Sequence, residues 1–333
     1  MSGGDRGAVG GADALDGAGA GNGSAGGYET PLTAAFPLPG PVDLRLTLSP
    51  LRHGPGDATM RLGPDGVWMA RRGPAGPATL HLRIDAASAV LHARAWGPGA
   101  EEAVGAAPGL AGLLDEPLAL VPRHELVHEL QRRFPGLRLP RTGRLLPALI
   151  AAVTEQKVTA GEAQRAYAGL IRRVGYPAPG PGAEMGLRLA PAGAALAALP
   201  YFEMHPMGLE RRRSELIRRL GGAETRIESL QALTAAEASE RLLTMPGIGP
   251  WTAAETIRAA FGDPDAVSLG DAHIPDMVSW ALAGEPRSDD ARMLELLEPY
   301  RGQRGRVVRL LEAAGIRPPR YGPRFTPGRI ERL

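Results

Sequence analysis

The chain of 333 residues contains no cysteine. That absence removes disulfides, thiolate metal sites, thiol nucleophiles and cysteine-ligated iron–sulfur clusters together. It also argues against a small secreted protein stapled by disulfides. Lysine is nearly as scarce: of the 38 basic residues only Lys157 is lysine, and the rest are arginine. A Schiff-base nucleophile therefore has one internal side chain to come from. No run of 18 apolar residues occurs, and no basic region followed by an apolar stretch opens the chain, so neither a membrane span nor a secretory signal is indicated. The expected setting is the cytosol, with no membrane partner.

At roughly 100–200 residues per domain, the length predicts about two domains. Charge is unevenly spread. Residues 1–120 hold 8 basic and 12 acidic side chains, residues 121–333 hold 30 and 24, and the last 33 residues alone carry 9 arginines and 2 glutamates. Clustered arginine attracts phosphate at long range, so the C-terminal side is expected to face a polyanion. Residues 1–27 are almost entirely Gly, Ala, Ser and Asp with no periodic apolar pattern. Burial cannot offset the entropy of ordering such a segment, so 1–30 reads as a disordered leader. The remainder divides into a β-rich domain over 31–118, a helical domain over 119–316 and a basic, Pro-rich tail over 317–333.

Alternation sets the β-rich reading. Leu44, Leu46 and Leu48 alternate with polar neighbours, as do Leu80, Leu82 and Ile84, and Gly and Pro punctuate further strands at 58–63, 66–70 and 89–96. A helix is expected over 100–114. Beyond about 120 the period becomes helical: Leu126, Val127, Leu130 and Phe134 make one stripe. Further helices are expected near 143–154, 160–174, 207–220, 235–243, 250–261, 271–283, 289–297 and 303–314. Thr234 with Glu237 reads as a capping box. The fold class expected is α+β, a small antiparallel sheet domain followed by an all-α bundle.

The most informative stretch is Leu243-Thr244-Met245-Pro246-Gly247-Ile248-Gly249-Pro250-Trp251-Thr252-Ala253. Two glycines between helices allow a tight turn with unobstructed amides, and Pro250 suits a first helical turn, where its missing N–H costs nothing. Amides at a positive helix end suit a phosphate. An ordinary helical hairpin without a ligand would show the same P-G-x-G.

The longer string resembles the helix-hairpin-helix DNA glycosylase superfamily, and within it the 3-methyladenine DNA glycosylase II type. There the hairpin is followed by an Asp that opens another helix; here Ser268-Leu269-Gly270-Asp271-Ala272-His273-Ile274 places Asp271 22 residues after Gly249. Thr154-Glu155-Gln156-Lys157-Val158-Thr159 resembles the superfamily's groove-entering turn, and Pro299-Tyr300-Arg301 its late P-W-R. The resemblance implies that Asp271 is the catalytic carboxylate and that Trp251, Glu255 and His273 line a base pocket. It implies DNA contacts from Gln156, Lys157, Thr159, Gly247, Ile248, Gly249 and Thr252. It further implies a monovalent cation, Na+ or K+, on the carbonyls of Leu243, Met245 and Ile248, with no organic cofactor and no iron–sulfur cluster. Trp251 stands where bifunctional members carry a nucleophilic lysine, so base removal without strand cleavage is expected. Lys157 stands where relatives place an apolar wedge, and a phosphate contact or a plain surface role are the alternatives. The partner implied is duplex DNA with damaged bases, met by a monomer at the nucleoid, and the lesions implied are alkylated purines.

These residue types suit the chemistry. Breaking an N-glycosidic bond builds positive charge on the sugar, which a carboxylate stabilises, and an alkylated purine is already a cationic leaving group. An electron-deficient extruded base stacks on an aromatic wall. Taken alone, Asp271 also reads as a helix N-cap, Trp251 as a core side chain, His273 as a structural hydrogen-bonding group, and Arg211-Arg212-Arg213 as either a phosphate contact or a solvated face. Two other functions compete. One is a DNA-binding module on the same fold that excises nothing. The other is a zinc hydrolase built on His124-Glu125-Leu126-Val127-His128, which matches H-E-x-x-H but has no third ligand marked.

Overall fold

The computed structural model describes residues 30–319. The leader and most of the basic tail lie outside the described residues. Five strands, β1 (Leu32–Pro37), β2 (Met60–Gly63), β3 (Gly66–Gly73), β4 (Gly76–Asp85) and β5 (Val90–Trp96), form one antiparallel sheet in the order β1-β5-β4-β3-β2. β2, β3 and β4 are joined by two-residue turns, closed at the pairs Gly63–Gly66 and Gly73–Gly76. The register places Leu80 opposite Met69 and Ala95, and Leu82 opposite Val67 and Ala93, so one face is apolar throughout. Short helices Leu44–Leu48, Ala100–Gly105 and Ala107–Leu110 cover that face. Leu80, Leu82 and Leu91 are fully buried there, and each such side chain contributes about 1.5–3 kcal/mol.

The segment 43–48 corrects the expectation of a strand. It is a helix, capped by Asp43, whose Oδ1 accepts the Arg45 and Leu46 amides at 2.9 and 3.0 Å. A spacing of four residues, Leu44 to Leu48, is two strand repeats and about one helical turn, so alternation alone does not decide between them; the capping aspartate does. The sheet edge is taken instead by β1, whose Leu-Thr-Ala-Ala-Phe-Pro carries no alternation to read.

The helical part begins with α1 (Glu125–Arg133), α2 (Leu145–Glu155), α3 (Ala160–Val174) and α4 (Arg211–Gly222). It continues through α5 (Ala235–Leu243), α6 (Pro250–Phe261), α7 (Ile274–Ala283), α8 (Asp290–Leu297) and α9 (Arg304–Ala313). These pack around two cores rather than one. α2 to α6 surround Leu145, Leu149, Ile217, Leu242 and Ile257, whereas α1 returns to α7, α8 and α9 around Val127, Leu130, Val278, Met293 and Leu311. The chain thus crosses between two helical bodies. Among the described residues no helix is long and apolar enough to cross a membrane.

Polar bonds tie the bodies to the sheet domain. Arg306 on α9 pairs with Asp115, both nearly inaccessible, and Nη1 lies 3.0 Å from Oδ2. Arg309 donates to the Leu46 carbonyl at 2.7 Å, and Arg138 to the Pro41 carbonyl at 2.8 Å. Removing one member of a buried pair leaves the other charged and unsatisfied. Asp115→Ala is therefore expected to lower the unfolding free energy by about 3–5 kcal/mol in urea denaturation, with Arg306→Met less costly when made on top of it.

Candidate functional site

The hairpin is built locally. Thr234 and Glu237 form the capping box that opens α5, with the Thr234 amide 2.9 Å from the glutamate Oε2. Past Leu243 the turn closes through Met245 N–H to Leu242 O at 2.9 Å and Ile248 N–H to Met245 O at 3.0 Å. Ile248 is buried against the helical core and pins the turn. Gly247 sits at φ +92°, with Leu216 only 3.1 Å from where a Cβ would stand. Gly249 differs: its backbone is extended and a Cβ there would meet nothing, so the glycine leaves an open approach to the first amides of α6. Arg219 donates to the Pro246 carbonyl at 2.6 Å, placing a guanidinium beside the turn.

Gln156 joins the hairpin to the end of α2. Its Nε2 donates to Gly247 O at 3.1 Å and to the Thr252 hydroxyl at 2.8 Å. Lys157 follows, exposed, at φ +55°, a left-handed conformation that costs a non-glycine residue of the order of 1 kcal/mol. Thr159 then caps α3 in a reciprocal box with Glu162, and the hydrogen bonds from Thr159 hold the Glu162 carboxyl below its ordinary range. Arg213 is neither the phosphate contact nor the solvated side chain that the sequence offers. That side chain is buried, donating to Thr154 O at 2.8 Å, Gly208 O at 3.0 Å and Glu210 at 2.8 Å, and so fixes the last turn of α2. Arg211 pairs with Glu215 on the exposed face.

Asp271 lies before α7, which starts at Ile274 rather than 271. Its Oδ1 accepts the His273 and Ile274 amides at 2.7 and 2.9 Å, and its Oδ2 accepts Trp251 Nε1–H at 2.9 Å. Asp271 is thus not the N-cap, which is His273; it closes the turn that leads into α7 and lines the cleft as well. Trp251 is half-buried on the cleft wall, not a core side chain. One turn on, Glu255 accepts the Ser268 hydroxyl on one oxygen and Arg258 at 2.5 Å on the other. Burial acts to lower the Arg258 pKa, yet Glu255 and Glu312 together hold it above its ordinary value. His273 is exposed and contributes its amide to Asp271.

Asp271, Trp251, Glu255, Arg258 and His273, with the 246–250 turn and the 156–159 segment, line one open cleft of about 2780 Å³. The structure brings Asp271, Trp251, Glu255, Gln156, Gly247 and Thr252 together there. His124 and His128 do not join them. His124 is the N-cap of α1, its Nδ1 accepting the Leu126 amide at 3.2 Å, so only His128 stands on the helix and the paired imidazoles of the zinc motif are not formed. No group of three metal-ligating side chains occurs among the described residues. The roles of Arg213, Arg258 and Ser268 carry no local signal, because each bonds a partner 13 to 59 residues away, Thr154, Glu312 and Glu255 respectively.

No protein-family model and no curated protein matches the sequence. The fold is shared with solved structures. One is a 3-methyladenine DNA-glycosylase from Archaeoglobus fulgidus, at 18% identity over 84% of this chain and 97% of that one, TM-score 0.68. Another is MBOgg1 in complex with a low-affinity DNA ligand, at 14% identity over 87% and 98%, TM-score 0.67. A third is the apo form of the Clostridium acetobutylicum 8-oxoguanine glycosylase/lyase, at 11% identity over 86% and 99%, TM-score 0.63. The α+β fold of this chain is the fold of these structures.

The two hairpin glycines separate by stability. Gly247→Ala, at positive φ and against Leu216, is expected to cost about 1–3 kcal/mol. Gly249→Ala is expected to stay within about 0.5 kcal/mol of the parent in the same denaturant titration.

Proposed function

We propose that the chain is a monofunctional DNA glycosylase that hydrolyses the N-glycosidic bond of alkylated purines, of the 3-methyladenine and 7-methylguanine type, in duplex DNA. The observation that carries this reading is the bond from Trp251 to Asp271 in the cleft wall. It couples an aromatic surface to a fixed carboxylate on a fold whose neighbours are glycosylases. A base extruded from the duplex stacks against Trp251. Asp271 then faces the sugar, where its negative charge stabilises the oxocarbenium-like transition state and orients the attacking water. The cationic base leaves as a neutral purine, water adds to the anomeric carbon, and its proton is released. Trp251 forms no Schiff base, so the product is an intact strand with an abasic site.

Gly247, Ile248, Gly249 and Thr252 offer the phosphate-binding turn, and Gln156, Lys157 and Thr159 line the groove beside it. Glu255, bonded to Ser268 and Arg258, and His273 complete the base-facing wall. Leu243, Met245 and Ile248 are the proposed carbonyl donors for a monovalent cation, which would supply positive charge to a DNA phosphate. Met245 O already accepts an amide and Arg219 bonds the adjoining carbonyl, so the chain itself carries a cation at that corner. The enzyme is proposed to act as a monomer at the nucleoid, without an organic cofactor.

The test is release of free methylated bases from alkylated duplex DNA. Asp271→Asn keeps the acceptor for the two α7 amides, so the variant is expected to fold and bind duplex while releasing base at least about 10³-fold more slowly. Wild-type enzyme is expected not to be trapped on substrate by borohydride. Duplex binding without release from any lesion would replace this reading by a non-catalytic DNA-binding module.

A further inference from the structure

The sheet domain also reaches the cleft. Pro50, Arg52 and His53, in the connection between β1 and β2, line it together with Glu155, Gln156 and Asp271. Of these, His53 is held on three sides. Its amide donates at 3.0 Å to Asp57, a buried carboxylate that also accepts the Thr59 amide and hydroxyl. Its ring packs against Tyr167, centroids 4.5 Å apart. Its Nδ1 lies 3.1 Å from Glu155 Oε1.

Glu155 is the last residue of α2, where the helix dipole disfavours a carboxylate. It stands one residue before Gln156, which bonds the hairpin. A packing role for the imidazole needs no carboxylate there. A carboxylate at Nδ1 favours the tautomer with its proton on Nδ1; Nε2, which bonds nothing among the described residues, is then the ring's acceptor. The His53 side chain is only 21% accessible. Phosphates are met better by the exposed cations Lys157, Arg165 and Arg212 on the same cleft, whereas a recessed flat acceptor suits the edge of an inserted base.

We propose that His53 is a specificity-determining residue contributed by the sheet domain: Nε2 accepts a hydrogen bond from an N–H donor, such as an exocyclic amine, on the base that enters the cleft. This inference rests on the glycosylase reading. Loss of such a bond to a buried partner group typically weakens recognition about tenfold.

The experiment measures affinity of the full chain for two duplexes by fluorescence anisotropy. One carries 2′-fluorinated 7-methylguanosine, which resists hydrolysis, and the other an abasic tetrahydrofuran at the same position. Wild type is expected to prefer the base-bearing duplex. His53→Ala should lose about tenfold of that preference with abasic affinity unchanged, and His53→Gln, which retains an acceptor, should keep part of it. Glu155→Gln should move the preference in the same direction, and it decides the matter if His53→Ala does not fold. An unchanged preference overturns the inference, as does equal weakening on both duplexes, which would mark a phosphate contact. If wild type shows no preference, the inference falls; base release by wild type, measured separately, then tells whether the glycosylase reading falls with it.

Discussion

The bond between Trp251 and Asp271 is the constraint on which the cleft depends. α6 belongs to one helical core and α7 to the other, and the indole N–H is donated to the carboxylate between them at 2.9 Å. The same carboxylate receives two amides at the start of α7. Three N–H donors to one carboxylate fix its position without a neutralising cation, and hydrogen bonds to a charged group are worth roughly 1.5–3 kcal/mol each. A rotation of either body would break one of these bonds, so the geometry of the site and the relative placement of the two cores are one property.

The second wall is set by equally indirect means. Arg213 bonds the Thr154 carbonyl from inside the core, which fixes the end of α2; Gln156 then spans to the Gly247 carbonyl and the Thr252 hydroxyl. Lys157 is left exposed in a left-handed conformation, a local strain the surrounding bonds sustain. The sheet domain braces the assembly through Arg306 with Asp115 and Arg309 with Leu46, and through His53 with Glu155. It is part of the cleft, not an appendage beside it.

How much of this is legible in the sequence follows from the range of each interaction. The capping box at Thr234, the glycine turn and most helices after 140 depend on neighbours within a few residues and are readable. The helix at 44–48 is misread because a four-residue spacing fits two periods, and β1 is overlooked because small residues carry no period. Arg213 looks like one of three exposed arginines; what buries it is a carbonyl 59 residues away. The pairing of α1 with α7 to α9 has no local signature at all. Asp271 is marked only by the family resemblance. Its bond to Trp251, 20 residues off, is visible only in three dimensions.

The charges on the cleft wall that carries Trp251, Glu255 and Asp271 are not distributed evenly. One turn beyond Trp251 stands Glu255, and that carboxylate is paired with Arg258, which is shared with Glu312. The wall is therefore polar but locally neutralised. Asp271, by contrast, makes no ion pair among the described residues; its partners are neutral N–H donors. An adjacent guanidinium would cancel the field that a carboxylate exerts on a developing sugar cation, whereas neutral dipoles orient the group and leave its charge in force. In the proposed reaction the separation matters: Arg258 offsets the charge of Glu255, whereas the charge of Asp271 meets no cation among the described residues.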